Sequence, residues 1–250
     1  MHIIFSPTNK KLTIFVILKQ HRAKMILILF ALSIAPALAI LLAIYFADKY
    51  DREPFKLLFI SFMIGIVAII PAIIFELIFG FLDQPHNVFL IFIYTIWVIG
   101  LAEEGCKFFF LRTVPYIRPD FNEPLDGIVY GLAISMGFAA AENIFYVLNG
   151  GIGVGLLRMF TAVPMHAVCG IVMGYYAGLA KFSSHGSRKL LGTGLILAIV
   201  IHGLYDFFLI QQLWTGFAVL AFVVLIVGIA FGIKAIKIHR KNSPFKNPII

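Results

Sequence analysis

Long apolar runs separated by short polar connections constrain the fold of this chain more than any other feature. A helix needs about 20 apolar residues to cross about 30 Å of hydrocarbon. Seven such runs lie at 25–47, 57–80, 88–111, 125–148, 157–180, 190–210 and 214–234. Only 13% of the 250 residues are charged, about half the share of a soluble domain. We therefore predict an all-α, polytopic transmembrane helix bundle with about seven spans.

The positions of lysine and arginine predict the orientation of this bundle. These residues occur in the first, third and fifth loops and in the C-terminal tail, whereas loops 81–87, 149–156 and 211–213 contain none. Because cytoplasmic loops carry an excess of Lys and Arg, we predict that the first span starts outside and that the C-terminus is cytoplasmic. The net charge of +8 is thus a topology signal and does not indicate nucleic-acid binding.

The first 24 residues conflict with that orientation. Residues 1–24 carry five basic side chains and no acid, a pattern that keeps a segment in the cytoplasm. We expect the natural chain to start at Met25, and the alternative is a basic amphipathic leader on the membrane surface. The predicted organisation is an N-terminal extension (1–24), a transmembrane domain (25–234) and a basic cytoplasmic tail (235–250).

Ionisable side chains lie inside several predicted spans, where each costs on the order of 2.5–3.5 kcal/mol to insert. In the third span, Lys107 follows Glu103 by four residues and Glu104 by three, so its ammonium can neutralise one carboxylate on the same helix face. The other carboxylate remains available as a general base or proton carrier. A structural ion pair between helices is the alternative interpretation.

The fourth, fifth and sixth spans add polar residues of their own. In the fourth span, Asn143 can hydrogen-bond and orient Glu142. In the sixth span, His202 and Asp206 are one helical turn apart, so the acid can fix the tautomer of the imidazole. The fifth span contains Arg158 near its outer end and His166.

A helix rises 1.5 Å per residue, which places Glu142, His166 and His202 roughly 9–14 Å below the outer boundary. The paired glutamates fall near the midplane. Four spans therefore direct polar groups into one cavity, which we expect to open outward.

Other positions in the spans have structural interpretations. Asp126 is expected to cap the fourth helix, and a role in a site is the alternative. Gly127 and Gly131 offer a surface for close helix packing. Pro164 is expected to kink the fifth helix beside the histidine. Glu76 is isolated in the second span, where snorkelling or helix pairing explains it.

Taken in order, these motifs resemble the PrsW family of intramembrane proteases. The matching motifs are Asp48-x-x-Asp51-x-Glu53-Pro54, Glu103-Glu104-x-x-Lys107, Asp126-Gly127-Ile128-Val129-Tyr130-Gly131, Gly137-Phe138-Ala139-x-x-Glu142-Asn143, Arg158…Pro164-x-His166 and His202-Gly203-x-Tyr205-Asp206. The resemblance covers about residues 25–234. It implies a multi-pass endopeptidase of the plasma membrane with Glu103, Glu104 and His202 as catalytic residues. Around them we predict a supporting set from the residues described above, namely Lys107, Glu142, Asn143, Arg158, His166 and Asp206.

The resemblance also implies a substrate that is a membrane-anchored protein, typically an anti-sigma factor cut on its extracytoplasmic side. A more distant resemblance is to the CAAX-processing and bacteriocin-immunity membrane proteases. Their central Phe-x-x-x-His motif is absent, because Glu142 stands at the histidine position. His166 is a candidate for the missing imidazole.

Two forms of hydrolytic mechanism are compatible with these residues. No serine or cysteine lies beside a base, so we favour a metal-free, glutamic-type protease in which Glu103 and Glu104 activate water. His202 then stabilises the oxyanion or protonates the leaving amine. The rival form is a zinc site, although no His-Glu-x-x-His helix is present. Its candidate ligands are His166, His202, Glu104 and Glu142.

Two functions from other classes also remain open. A proton- or ion-coupled transporter uses buried acids and histidines as well, but the sequence contains no repeat of spans that would support one. A non-catalytic immunity or chaperone protein with a degenerate site is the other alternative.

Overall fold

The computed structural model describes residues 7–82, 87–211 and 215–246, with side chains from residue 17 onward except that of Thr215. These residues form helices and turns without a strand, which confirms the predicted all-α class. The α-helices are α1 (Pro7–Ala47), α2 (Phe55–Phe79), α3 (Val88–Ile93), α4 (Leu101–Thr113), α5 (Pro124–Phe160), α6 (Ala162–Lys181), α7 (Ser187–Ile210) and α8 (Ala218–Lys241). A π-helical segment, Tyr94–Gly100, joins α3 to α4.

Six helical stretches in the described part of the chain are long and apolar enough to cross a membrane. The longest, Pro124–Lys181, has 58 residues, and a straight helix of that length would measure roughly 87 Å. It consists instead of α5 and α6, which pack antiparallel, since Gly127 lies against Gly174 and Gly131 lies against Gly170. The count of seven spans and the orientation of the termini stay predictions.

The terminal helices extend beyond the predicted spans. Helix α1 runs without a break from Pro7, so most of the predicted N-terminal extension is helical, and residues 1–6 lie outside the described residues. Helix α8 continues to Lys241, and His239 near its end is buried against Tyr175. Position 214, the predicted start of the seventh span, and residues 247–250 also lie outside the described part.

Helix α5 lies at the centre of the bundle. Every residue from Leu125 to Ala141 is buried, because α1, α2 and α6 pack around this helix. Close packing depends on small residues where backbones meet. Gly137 faces the backbone of Phe62 on α2, and Gly174 faces the backbone of Gly127. The predicted packing surface at Gly127 and Gly131 is thus used by α6.

We expect Gly137→Ala to destabilise the bundle. A Cβ atom there would collide with the carbonyl oxygen of Phe62, and overpacking of this kind costs about 1–3 kcal/mol. The thermal midpoint of detergent-solubilised protein should fall by about 2–4 °C for each kcal/mol lost. Gly192→Ala is the matched control, because a Cβ atom at Gly192 meets nothing within 4 Å. Equal midpoints for the two variants would contradict this packing.

The outer part of α5 differs from the prediction. Residues 149–156 were expected to form a loop, but they are helical on both sides of Gly151, whose φ of 75° redirects the chain. Arg158 was expected in the fifth span and instead lies in the last turn of α5, since the break between α5 and α6 falls at Thr161. Pro164 lies in the first turn of α6 and kinks no helix interior, because a first turn has no bond for its missing N–H to break.

Candidate active site

The polar residues of the spans meet around one cavity of about 650 Å³. Its walls come from α2, the π-helical segment, α4, α5, α6 and α7, and apolar side chains such as Ile69 and Phe138 make up much of them. The acidic, basic and histidine side chains that line it are Glu76, Glu103, Glu142, Arg158, His166, His202 and Asp206. The predicted convergence of four spans on one cavity is therefore present in the structure.

Lys107 occupies the centre of the polar cluster. Its Nζ lies 3.1 Å from Glu103 Oε2, 2.8 Å from Glu104 Oε1 and 3.1 Å from His166 Nδ1. The ring centroid of Phe138 is 4.0 Å from the same atom. Only 1% of Lys107 is exposed, so its charge is balanced by these contacts and not by water.

Carboxylates also hold the two histidines in place. Nε2 of His166 lies 2.7 Å from Glu142 Oε2, and Nε2 of His202 lies 3.4 Å from Asp206 Oδ2. The Nδ1 atoms therefore face the paired glutamates, with His202 Nδ1 2.8 Å from Glu104 Oε1. The two rings are 5.2 Å apart at nearly right angles.

The two glutamates have different surroundings. Glu104 is fully buried and contacts both Lys107 and His202. Glu103 also contacts Lys107, but it lines the cavity, whereas Glu104 does not. The cavity therefore gives a water or a substrate access to Glu103, while Glu104 holds its neighbours in place.

The residues of this cluster fit a zinc ion. Glu103, Glu104, His166 and His202 each offer one ligand atom, and these atoms lie within 4.8 Å of one another. Imidazole nitrogen and carboxylate oxygen are zinc ligands, and metal-bound histidines usually donate their second N–H to a carboxylate. Glu142 and Asp206 lie where such carboxylates are needed. Lys107 Nζ lies among the same donor atoms, so its ammonium competes with a metal for them.

Arg158 joins the outer end of α5 to the cavity. It forms an ion pair with Glu142, at 2.8 Å, and its Nε donates to Asn143 Oδ1, at 2.6 Å. Its guanidinium also lies 4.0 Å from the ring centroid of Tyr146. Asn143, which was expected to orient Glu142 directly, thus acts on it through Arg158.

Glu76 is the acidic cavity residue for which the sequence predicted only a structural role. It lines the same cavity as Glu103 and Glu142. The spacing of residues in α2 contained an indication of this position. Glu76 follows Ala72 by four residues and therefore lies on the same helix face as Gly65 and Ala72, the face that packs against the rest of the bundle. A charge on such a buried face points inward rather than toward lipid.

Comparison with known proteins points to one family. The model of a family described as "PrsW family intramembrane metalloprotease" matches residues 53–229. A protein named Protease PrsW from Bacillus subtilis (strain 168) is 36% identical over 182 residues, which cover 70% of this chain and 80% of that protein.

Two more relatives with the same name give a similar result. The protein from Oceanobacillus iheyensis is 38% identical over 70% of this chain and 80% of its own length. The protein from Clostridioides difficile (strain 630) is 33% identical over 79% of this chain and 86% of its own length. No solved structure matches the chain. The resemblance seen in the motifs is therefore confirmed: the chain belongs to the PrsW family of intramembrane proteases, hydrolases that in bacteria are multi-pass proteins of the plasma membrane.

Proposed function

We propose that this protease hydrolyses a peptide bond of a membrane-anchored protein inside the cavity, with Glu103 as the general base. One observation carries the proposal: of the paired glutamates, only Glu103 lines the cavity, next to His166 and His202. A general base must reach the proton that it abstracts, directly or through one water. Glu104 has no such access, since none of its surface is exposed.

In the first step, a water bound beside Glu103 attacks the carbonyl carbon of the scissile bond. The water proton passes to the Glu103 carboxylate as the new C–O bond forms. Lys107 Nζ, 3.1 Å from that carboxylate, holds it beside the cavity through a charge-assisted hydrogen bond. The carbonyl oxygen becomes an oxyanion, which needs a donor aimed at it.

The histidines supply that donor and position the base. His202 lies against both glutamates and lines the cavity. Its Nδ1 is taken by Glu104, so the Nε2–H, which makes only a long 3.4 Å contact with Asp206, is the group that can donate to the oxyanion. In the second step the C–N bond breaks, and the proton held by Glu103 passes to the leaving amine. His166 is fixed by Glu142, which is fixed in turn by Arg158.

The same residues can hold a zinc ion through His166, His202 and Glu104. When bound, zinc polarises the carbonyl and lowers the pKa of a bound water. We favour this form over the metal-free one that the sequence suggested. The support is the pair of histidines, each with one nitrogen on an outer carboxylate and the other facing the glutamates. Glu103 keeps its role as base in both forms.

The substrate that we propose is a single-span regulator of the anti-sigma-factor type. A cavity formed by transmembrane helices suits a substrate that is itself held in the membrane. The family resemblance supplies the regulator class, and the cleavage site on the extracytoplasmic side follows from the predicted orientation. The identity of the regulator is open to direct search by comparing membrane proteomes with and without this protease.

Reconstitution in liposomes tests this function. The protein is incorporated with a single-span membrane protein, and the fragments are identified by mass spectrometry. We expect cleavage by the wild type and none by Glu103→Gln, while a pH-sensitive dye inside the liposomes reports no proton flux. An intact substrate with both proteins, together with a flux through the wild type, would contradict the protease and support a transporter.

A further inference from the structure

Glu76 lies in the catalytic cavity, and the hydrolysis described above makes no use of it. On α2 it follows Ile69, Ala72 and Ile73, which line the same cavity with the i, i+3, i+4, i+7 spacing of one helix face. In the part of the chain that the structure describes, Glu76 forms no hydrogen bond or ion pair. Its carboxylate is therefore available to a group that enters the cavity.

The other three acids of the cavity each contact a basic or histidine side chain. These pairs are Glu103 with Lys107, at 3.1 Å, Glu142 with Arg158, at 2.8 Å, and Asp206 with His202, at 3.4 Å. Lys107 does not line the cavity, and Arg158 is shared between Glu142, Asn143 and the ring of Tyr146. An unpaired charge inside a helix bundle is costly. The cavity therefore favours a positive charge that arrives with its ligand.

The two structural interpretations of Glu76 do not fit its position. Snorkelling takes a charge along the lipid face of a helix, whereas Glu76 lies on the face of α2 that lines the cavity. Helix pairing would require a donor on a neighbouring helix, and among the described residues none contacts the Glu76 carboxylate. An acid with a structural role has such donors. Asp126 caps α5, as expected, because its Oδ2 accepts from the backbone N–H groups of Asn122 and Glu123, each at 2.7 Å.

Glu76 lies about one helical turn beyond the level of the reacting groups. Ala72 belongs to the apolar cluster that contains Phe138, and the ring centroid of Phe138 is 4.0 Å from the Lys107 ammonium. From Ala72 to Glu76, α2 advances by about 6 Å. An extended peptide advances by about 3.3 Å per residue. A substrate side chain that reaches Glu76 therefore belongs to a residue within about two to four positions of the cleaved bond.

We propose that Glu76 is a specificity-determining residue, which binds the charged end of a lysine or arginine side chain of the substrate near the cleaved bond. The inference rests on the proposed hydrolysis in the cavity. Lysine and arginine combine an apolar stem with a charged end. The stem matches the apolar side chains of Ile69, Ala72 and Ile73, and the charged end matches the carboxylate that follows them on the same face.

This preference narrows the class of substrate. Glu76 lies three residues before the end of α2 at Phe79, which is the outer end of the helix in the predicted orientation. Lysine and arginine are concentrated on the cytoplasmic side of membrane spans, so few single-span proteins carry one at the outer end of the span. A cavity that requires such a residue leaves most neighbouring membrane proteins uncut. The substrate is thus a single-span protein with a basic residue near the outer end of its span.

Binding of model peptides tests this role without cleavage. The probes are two fluorescent single-span peptides of the same alanine- and leucine-rich sequence, one with a lysine and one with a glutamine at the outer end. The Glu103→Gln protein in nanodiscs should bind the lysine peptide about 10–100 times more tightly, the range for a hydrogen bond between charged groups. Adding Glu76→Gln should remove this preference. The matched control Asp120→Asn, which removes an exposed carboxylate outside the cavity, should keep it. Equal affinities for the two peptides with Glu76 intact would overturn the proposal, whether or not the variants fold.

Cleavage of a lysine-scanned peptide set separates this inference from the proposed function. The lysine is moved one residue at a time through the outer half of the span, and the products are identified by mass spectrometry. With the wild type, we expect the cut bond to move with the lysine at a fixed separation, and with Glu76→Gln to be independent of it. Wild-type cuts that ignore the lysine would overturn the role of Glu76 and leave the protease function intact. A lysine peptide that binds preferentially but stays uncut would contradict the proposed function and support the binding role of Glu76.

Discussion

Glu103→Gln is expected to lower kcat by about 10²–10⁴-fold, the contribution of a positioned general base, without lowering the thermal midpoint. The amide keeps the shape of the carboxylate but cannot accept the proton of the attacking water. Lys107 retains its shorter contact with Glu104, at 2.8 Å, so the buried ammonium is still paired. The measurement is the single-turnover rate with a reconstituted substrate, together with the melting curve of the same preparation.

Glu104→Gln provides the matched comparison. Its carboxylate contacts both Lys107 and His202 and has no access to the cavity. Removing one partner of a buried ion pair costs about 3–5 kcal/mol, so this variant should lose activity and stability together. If Glu103→Gln unfolds and Glu104→Gln loses only activity, the assigned roles are reversed.

The sequence alone identified most of the charged and histidine residues in and next to the cavity. Charged side chains in apolar spans are costly and therefore mark a site, which selected Glu103, Glu104, Glu142, His166 and His202. The i, i+4 spacing of His202 and Asp206 also anticipated a contact, which is present at 3.4 Å. These predictions rest on spacing within one helix and on insertion cost, both of which are properties of the local sequence.

Contacts between different helices could not be predicted from spacing and insertion cost. The π-helical segment Tyr94–Gly100 lies directly before the glutamates, and its wider turn changes which face of α4 they occupy. A placement that assumes a regular α-helix throughout the third span therefore cannot predict which of the two glutamates lines the cavity. The contact of Arg158 with Glu142 likewise depends on the change of direction at Gly151. Glu76 was given only a structural role because the other residues that line the cavity with it lie on other helices.

Removal of zinc is expected to abolish proteolysis, and added Zn²⁺ is expected to restore it. The expectation rests on the two histidines, whose Nδ1 atoms face Glu103 and Glu104 while their Nε2 atoms contact Glu142 and Asp206. Outer carboxylates of this kind typically contribute a factor of about 10–100 to metal affinity. Glu142→Gln should therefore need about 10–100 times more free Zn²⁺ for half-maximal activity.

The measurement combines metal analysis with activity on the same samples. Purified protein should carry close to one zinc per chain, and dialysis against a chelator should remove metal and activity in parallel. Ca²⁺ should not restore activity, because its oxygen-preferring chemistry does not suit imidazole ligands. Full activity in protein free of zinc would instead establish the metal-free mechanism, in which Lys107 keeps the central position among the four donors.

That ammonium lies 2.8–3.1 Å from Glu103, Glu104 and His166, so a metal and Lys107 compete for the same carboxylates. Lys107→Met should therefore strengthen zinc binding if zinc is the cofactor.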